Sequence, residues 1–118
     1  MIHGWLTLAD SDVRVIQKIS KTSNFIERMC GLLGSPPLKN NEGLLIVPCS
    51  LVHTIGMNYA IDLVFLDKQW TIVKTVKALK PWRMAASNAA SMVLELAAGS
   101  LDQLQLTNGQ QLEWHEYP

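Results

Sequence analysis

Two cysteines, Cys30 and Cys49, are too few for a disulfide scaffold. Charge is scarce as well. Asp, Glu, Lys and Arg make up 17% of the 118 residues, and ten basic residues balance ten acidic ones. With no net charge, no long-range field gathers nucleic acid or an anionic membrane. Low charge beside 48% hydrophobic residues excludes an intrinsically disordered chain. There is no glycine-rich phosphate loop, no paired zinc-ligand motif and no hydrolase nucleophile elbow, so the chemistries those motifs carry lack support. No repeat, low-complexity tract or linker divides the chain.

No secretory leader is expected from the first residues. Met1–Leu8 has no basic start, and its apolar run is broken by His3, Gly4 and Thr7. The expectation is a cytoplasmic protein with both thiols reduced. The charge-free run from Gly43 to Ile61 has the length of a membrane span. Pro48, His53, Thr54, Gly56 and Asn58 inside it would put polar groups or helix defects into hydrocarbon. A strand, a turn and a second strand explain it better, and no membrane span is expected.

What is present fits one domain over residues 1–118, long enough to bury a core without staples. Ile2–Leu8 and Val13–Ile19 have strand-forming composition, with a turn at Ala9–Asp12. Asn24 reads as an N-cap with Glu27 three residues on, and Phe25, Met29, Leu32 and Leu33 follow at helical spacing up to Gly34. The reading is an amphipathic helix over 25–33. Gly43–Val47, Ile61–Leu66, Trp70–Val76, Met92–Leu96 and Gln111–Trp114 read as further strands. Ser100–Gln103 has a capping-box pattern that opens a second short helix. The expected fold is mainly β (α+β): one small curled or barrel-like sheet of six or seven strands with two short helices.

Four segments, in order, carry a resemblance: Glu27–Leu33, Glu42–Leu45, Ile61–Asp67 and Val93–Gly99. Together, from about residue 18 to 112, they resemble the DUF192 family, a bacterial and archaeal domain of unknown function. The resemblance implies a compact, largely β domain and no established activity; the source it suggests here is bacterial. Many members carry Trp-Met-Lys-Asn-Thr before the strand that holds the Asp. This chain has His53-Thr54-Ile55-Gly56-Met57 there, a His-Thr variant, so any role of the usual Lys or Asn does not transfer. An Asp-Gly turn common in the family is replaced by Gln69-Trp70, which implies a different hairpin geometry.

Several side chains are candidates for chemistry. Cys49, His53 and Met57 are spaced four and four, and such soft or borderline donors suit copper. Cys and Met are also ordinary core residues, so no cofactor is expected and copper is the alternative. Cys49 with His53 would make a nucleophile–base pair if the thiol pKa were lowered. Asp62 in an apolar run must be paired, with Arg28 or Arg83 as partners, or must tie a loop to the sheet. Glu95 between Leu94 and Leu96 poses the same question, unless alternation turns it to solvent. Lys74, Lys77, Lys80, Trp82 and Arg83 combine cations with an aromatic ring. Their spacing of three puts them on opposite strand faces, so nucleic acid is an improbable partner.

The leading expectation is a non-enzymatic domain, a monomer or weak dimer, that binds a small molecule or a protein segment. Its site would use His53, Thr54, Asp62, Trp82 and Arg83, if folding joins the two loops. The alternatives are a Cys/His-centred enzyme or copper carrier, and an assembly protein with an apolar patch near Trp5, Trp70 or Trp114.

Overall fold

A computed structural model describes all 118 residues. The strands are β1 (Ile2–Leu8), β2 (Arg14–Lys21), β3 (Glu42–Ile46), β4 (Leu51–His53), β5 (Ile61–Leu66), β6 (Ile72–Leu79), β7 (Met84–Ala86), β8 (Met92–Ala97) and β9 (Leu112–Glu116). Two helices, α1 (Phe25–Cys30) and α2 (Ser100–Leu104), complete the fold. Seven strands form one sheet in the order β6-β5-β8-β3-β2-β1-β9, and β4 pairs with β7 in a separate ribbon. Only β2 and β3 run parallel, joined across the segment that holds α1; every other pair is antiparallel.

The sheet curls as expected but stays open. Near the starts of the two edge strands, one isolated bridge, Thr71 to Gln111, is flanked by hydrogen bonds from the Leu112 N–H to the Trp70 carbonyl and from the Ile72 N–H to the Gln110 carbonyl, and no strand ladder joins β6 to β9. All seven strands send side chains to the enclosed face, including Leu6, Ile16, Leu45, Val64, Ile72, Leu94 and Leu112. There they pack on Leu101 of α2. The opposite face carries Leu44, Ile46, Leu63, Phe65 and Val93. It is covered by Leu32 from the turn after α1, Val52 from the ribbon and Met57 from the loop that follows β4. Both faces are therefore dry, and β5 is buried along its whole length.

Three expectations change. The first helix stops at Cys30, not Leu33, because Gly31 takes φ 50° and ψ −125° and ends it. None of its residues is buried, so Phe25, Ile26 and Met29 face solvent instead of forming a packed stripe. The second helix has no capping box. Gly99 is its N-cap and offers no side chain, while Ser100 lies inside the helix with its hydroxyl buried and unpartnered. The hairpin before β6 keeps a left-handed residue although it lacks glycine: Trp70 adopts φ 65°. Asp67 holds the turn through Oδ1, accepting from the Gln69 and Thr71 N–H groups, and the Trp70 ring stacks on Trp114 at 6.3 Å. These contacts offset the roughly 1–2 kcal/mol that such a backbone costs a residue with a Cβ.

Candidate functional site

The β4–β7 ribbon joins the two expected loops. Thr54 is fully buried, and its hydroxyl donates to the Lys80 carbonyl at 2.6 Å and accepts from the Arg83 N–H at 3.0 Å. Its backbone N–H donates to the Arg83 carbonyl at 2.9 Å, and the Trp82 N–H donates to the Thr54 carbonyl at 3.0 Å. Thr54 thus clasps the loops from inside and presents nothing outward. Trp82 is exposed at φ 63°, and the Arg83 guanidinium turns back to the Trp82 carbonyl. Neither borders a cleft with His53.

Asp62 faces the enclosed core, away from His53. No arginine pairs with it. Its Oδ2 accepts from the N–H groups of Gly99 and Leu101, and its Oδ1 from that of Ala78. It supplies from β5 the N-terminal cap that Gly99 lacks. It also holds Ala78, at φ 49°, in a left-handed kink of β6. Asp62 ties a helix and a strand to the sheet.

The concave site lies on the other face. Arg28–Leu33 form one wall and Leu51–His53 with Ile55 the other; Ile46, Cys49, Met57 and Glu95 close it. The space is about 70 Å³, and ten of its fourteen lining residues are hydrophobic. The wall after α1 is pinned from behind, where the Tyr59 hydroxyl donates to the Ser35 carbonyl at 3.1 Å. Met29, Leu33, Leu51 and Ile55 are exposed at the mouth.

Glu95 is the chemical centre of this cleft. It sits between Leu44 of β3 and Leu63 of β5 in the sheet register, and it is 3% exposed. Its Oε1 is buried without a hydrogen-bond partner. Burial pushes its carboxyl up to about 7. Alternation does aim Glu95 away from the enclosed core, but the side it reaches is covered by protein and not by water. This residue matters more than sequence reasoning allowed. The one signal was an acid flanked by leucines in a strand.

Cys49, His53 and Met57 all line the same cleft. The Cys49 thiol is pushed up by burial and donates to the Leu51 carbonyl at 3.2 Å. A thiol kept protonated is a poor nucleophile. His53 Nδ1 accepts from the Ile55 N–H at 3.3 Å, which leaves the neutral ring with its proton on Nε2, a donor. No group of three His, Cys, Asp or Glu side chains is placed to hold a metal ion. The cleft thus sets apolar walls around one unpaired carboxyl.

The basic stretch is dispersed. Lys74 donates to the Ala86 carbonyl on the ribbon, while Lys77 pairs with Asp102 on α2. The tryptophans expected to mark a sticky patch are half-buried and stacked: Trp70 on Trp114, and Trp5 on His115 with Arg14 over its ring at 4.1 Å. Beside Trp5, Tyr117 is exposed, but most of the exposed apolar surface lies elsewhere, at Phe25, Ile26, Met29, Leu33, Leu51, Ile55, Trp82 and Met84.

The family model described as "Uncharacterized ACR" (DUF192) matches residues 7–114, beyond the stretch that the four segments mark. The chain belongs to the DUF192 family. A UPF0127 protein of Pyrococcus abyssi is 31% identical over 103 residues, covering 82% of this DUF192 chain and 86% of its own length. A UPF0127 protein of Pyrococcus furiosus is also 31% identical, over 98 residues. These relatives are archaeal, and their names state no activity. A solved structure from Sinorhizobium meliloti, provisionally described as a transcription regulator, superposes with a TM-score of 0.80. It is 19% identical, and the match covers 96% of this chain and 92% of the other. A protein of unknown function from Novosphingobium aromaticivorans gives 0.75 at 19% identity, covering 93% and 84%. At that identity the two structures establish the fold of this DUF192 domain. No helix in it is long and apolar enough to cross a membrane.

Proposed function

We propose that this DUF192 domain is a non-enzymatic binding module that receives the end of a ligand in the cleft between α1 and β4. The observation that carries this reading is the Glu95 Oε1, buried and unpartnered within an otherwise apolar cleft. Burying such a group without a partner costs about 1–3 kcal/mol, and a ligand that donates to it recovers that cost. Binding sites in small domains share this build, with apolar walls and very few polar groups that fix orientation. The Cys49 thiol, raised by burial, and the internally bonded Thr54 hydroxyl are poor nucleophiles, which favours binding over catalysis at these two residues.

The test is a titration of ¹⁵N-labelled protein with four-carbon compounds that differ only in their head group: an amine, an alcohol and a carboxylic acid. Saturable shifts centred on the amides of Gly31, Val52 and His53 are expected for at least one of them. If no compound moves those amides, or if shifts centre on the Trp5–His115 stack, the cleft is not the binding site.

A further inference from the structure

Resting on that binding reading, we propose that the group seated against Glu95 is a protonated primary amine on an aliphatic stem. Three observations lead there. First, Glu95 has no cationic partner. The ion pairs of the protein engage Glu27, Glu116 and Asp102. Arg28 lines the cleft, but its guanidinium lies over the Phe25 ring, 5.7 Å from the centroid. A buried carboxylate gains more from a charged donor than from a neutral one, since hydrogen bonds to charged groups are roughly twice as strong.

Second, the walls between Glu95 and the mouth are aliphatic. Leu32, Ile46, Val52 and Met57 are buried there and suit a hydrocarbon stem, while a polar stem would leave groups unpaired. Third, the size fits. A space of about 70 Å³ is several times the roughly 10–15 Å³ that one water needs, so it admits the end of an alkyl chain with its nitrogen. Both a free alkylamine and a lysine side chain offered by another protein have this chemistry.

The experiment uses the full chain at pH 8, where the amine is protonated and most Glu95 is ionised. The probes are n-butylamine, 1-butanol, butyrate and Nα-acetyl-lysine amide, each followed at the Gly31 and Val52 amides. Butylamine should bind at least tenfold tighter than butanol, and butyrate more weakly than either. Glu95→Gln should abolish the tenfold preference while butanol still binds. The comparison among probes on the unaltered chain stands even if that variant folds poorly. Acetyl-lysine amide binding as well as butylamine identifies a lysine side chain as the source; binding tenfold weaker identifies a free amine. Butanol or butyrate matching butylamine overturns the amine proposal and leaves the cleft a binding site. Silence from every probe overturns both readings.

Discussion

Gly31 and Glu95 face each other across the cleft: a Cβ on Gly31 would stand 3.6 Å from the Glu95 Oε1. The glycine ends α1 in a backbone conformation that side chains avoid, and it leaves open the space over the carboxyl. Because nothing pairs with that carboxyl, its ionisation weakens the fold. The folded state holds the Glu95 proton up to about 7, against an ordinary 4.5, so between those values the folded chain binds more protons than the unfolded one. The contribution of this group is then greatest below 4.5 and is lost as pH rises through about 7, by about 3 kcal/mol. Glu27 acts in another window. The Ser23 N–H beside it holds its carboxyl down to about 2, and its contribution is lost only as pH falls below 4.5. Urea denaturation at pH 5 and pH 8 should show wild type losing stability at the higher pH. Glu95→Gln should remove most of that loss. An equal slope in both proteins would mean that Glu95 is paired in solution.

Asp62 leads to the opposite expectation, because every oxygen of its carboxylate is used. Asp62→Asn keeps the shape but turns one acceptor into a donor that faces backbone N–H groups of Gly99 and Leu101 or of Ala78. A buried donor left without a partner costs about 1–3 kcal/mol, so the variant should lose at least about 2 kcal/mol. Amide exchange should quicken at Ala78, Gly99 and Leu101 before it does in β8. Unchanged exchange at those three amides would contradict a capping role.

How far the sequence could be read depended on length and on which neighbour wins. Long strands such as Ile61–Leu66 and Met92–Ala97 announce themselves by composition, and their register follows from alternation. The three-residue strands Leu51–His53 and Met84–Ala86 are too short to show a period, yet they build a wall of the cleft and join the loops. The helix spacing of Phe25, Met29 and Leu33 was legible, but whether that face is buried is a tertiary fact, and Gly31 decided it locally. Cys49, His53 and Met57 were legible only as donors spaced four and four; that all three line one cleft is a fact of the fold. Glu95 was legible as an acid in an apolar strand. That its outward side is roofed by the ribbon and by Leu32 depends on packing that no local pattern encodes.

The two thiols of the cleft should react differently. Cys30 is exposed at the end of α1. Cys49 is half-buried, and burial raises its thiol, so less thiolate exists at neutral pH. Iodoacetamide at pH 7.5 should modify Cys30 at least several-fold faster than Cys49, as peptide mass mapping over time would show. Cys49 reacting faster than a free peptide thiol would revive the nucleophile reading and argue against a purely binding cleft.

Thr54 separates shape from hydrogen bonding at the clasp between the loops. Thr54→Val preserves the branched shape but leaves the Lys80 carbonyl and the Arg83 N–H without their side-chain partner. Thr54→Ser keeps both bonds and removes one methyl, worth about 0.8 kcal/mol when buried. If Thr54 serves packing alone, Ser is the more damaging change. If its hydroxyl clasps the loops, Val is, at about 1–3 kcal/mol for each group left unsatisfied. The geometry favours the second outcome: Val more destabilising than Ser in thermal melts, with faster exchange of the Arg83 amide. Ser proving the costlier variant would mean that the ribbon is held by apolar packing around Val52 and not by this hydroxyl.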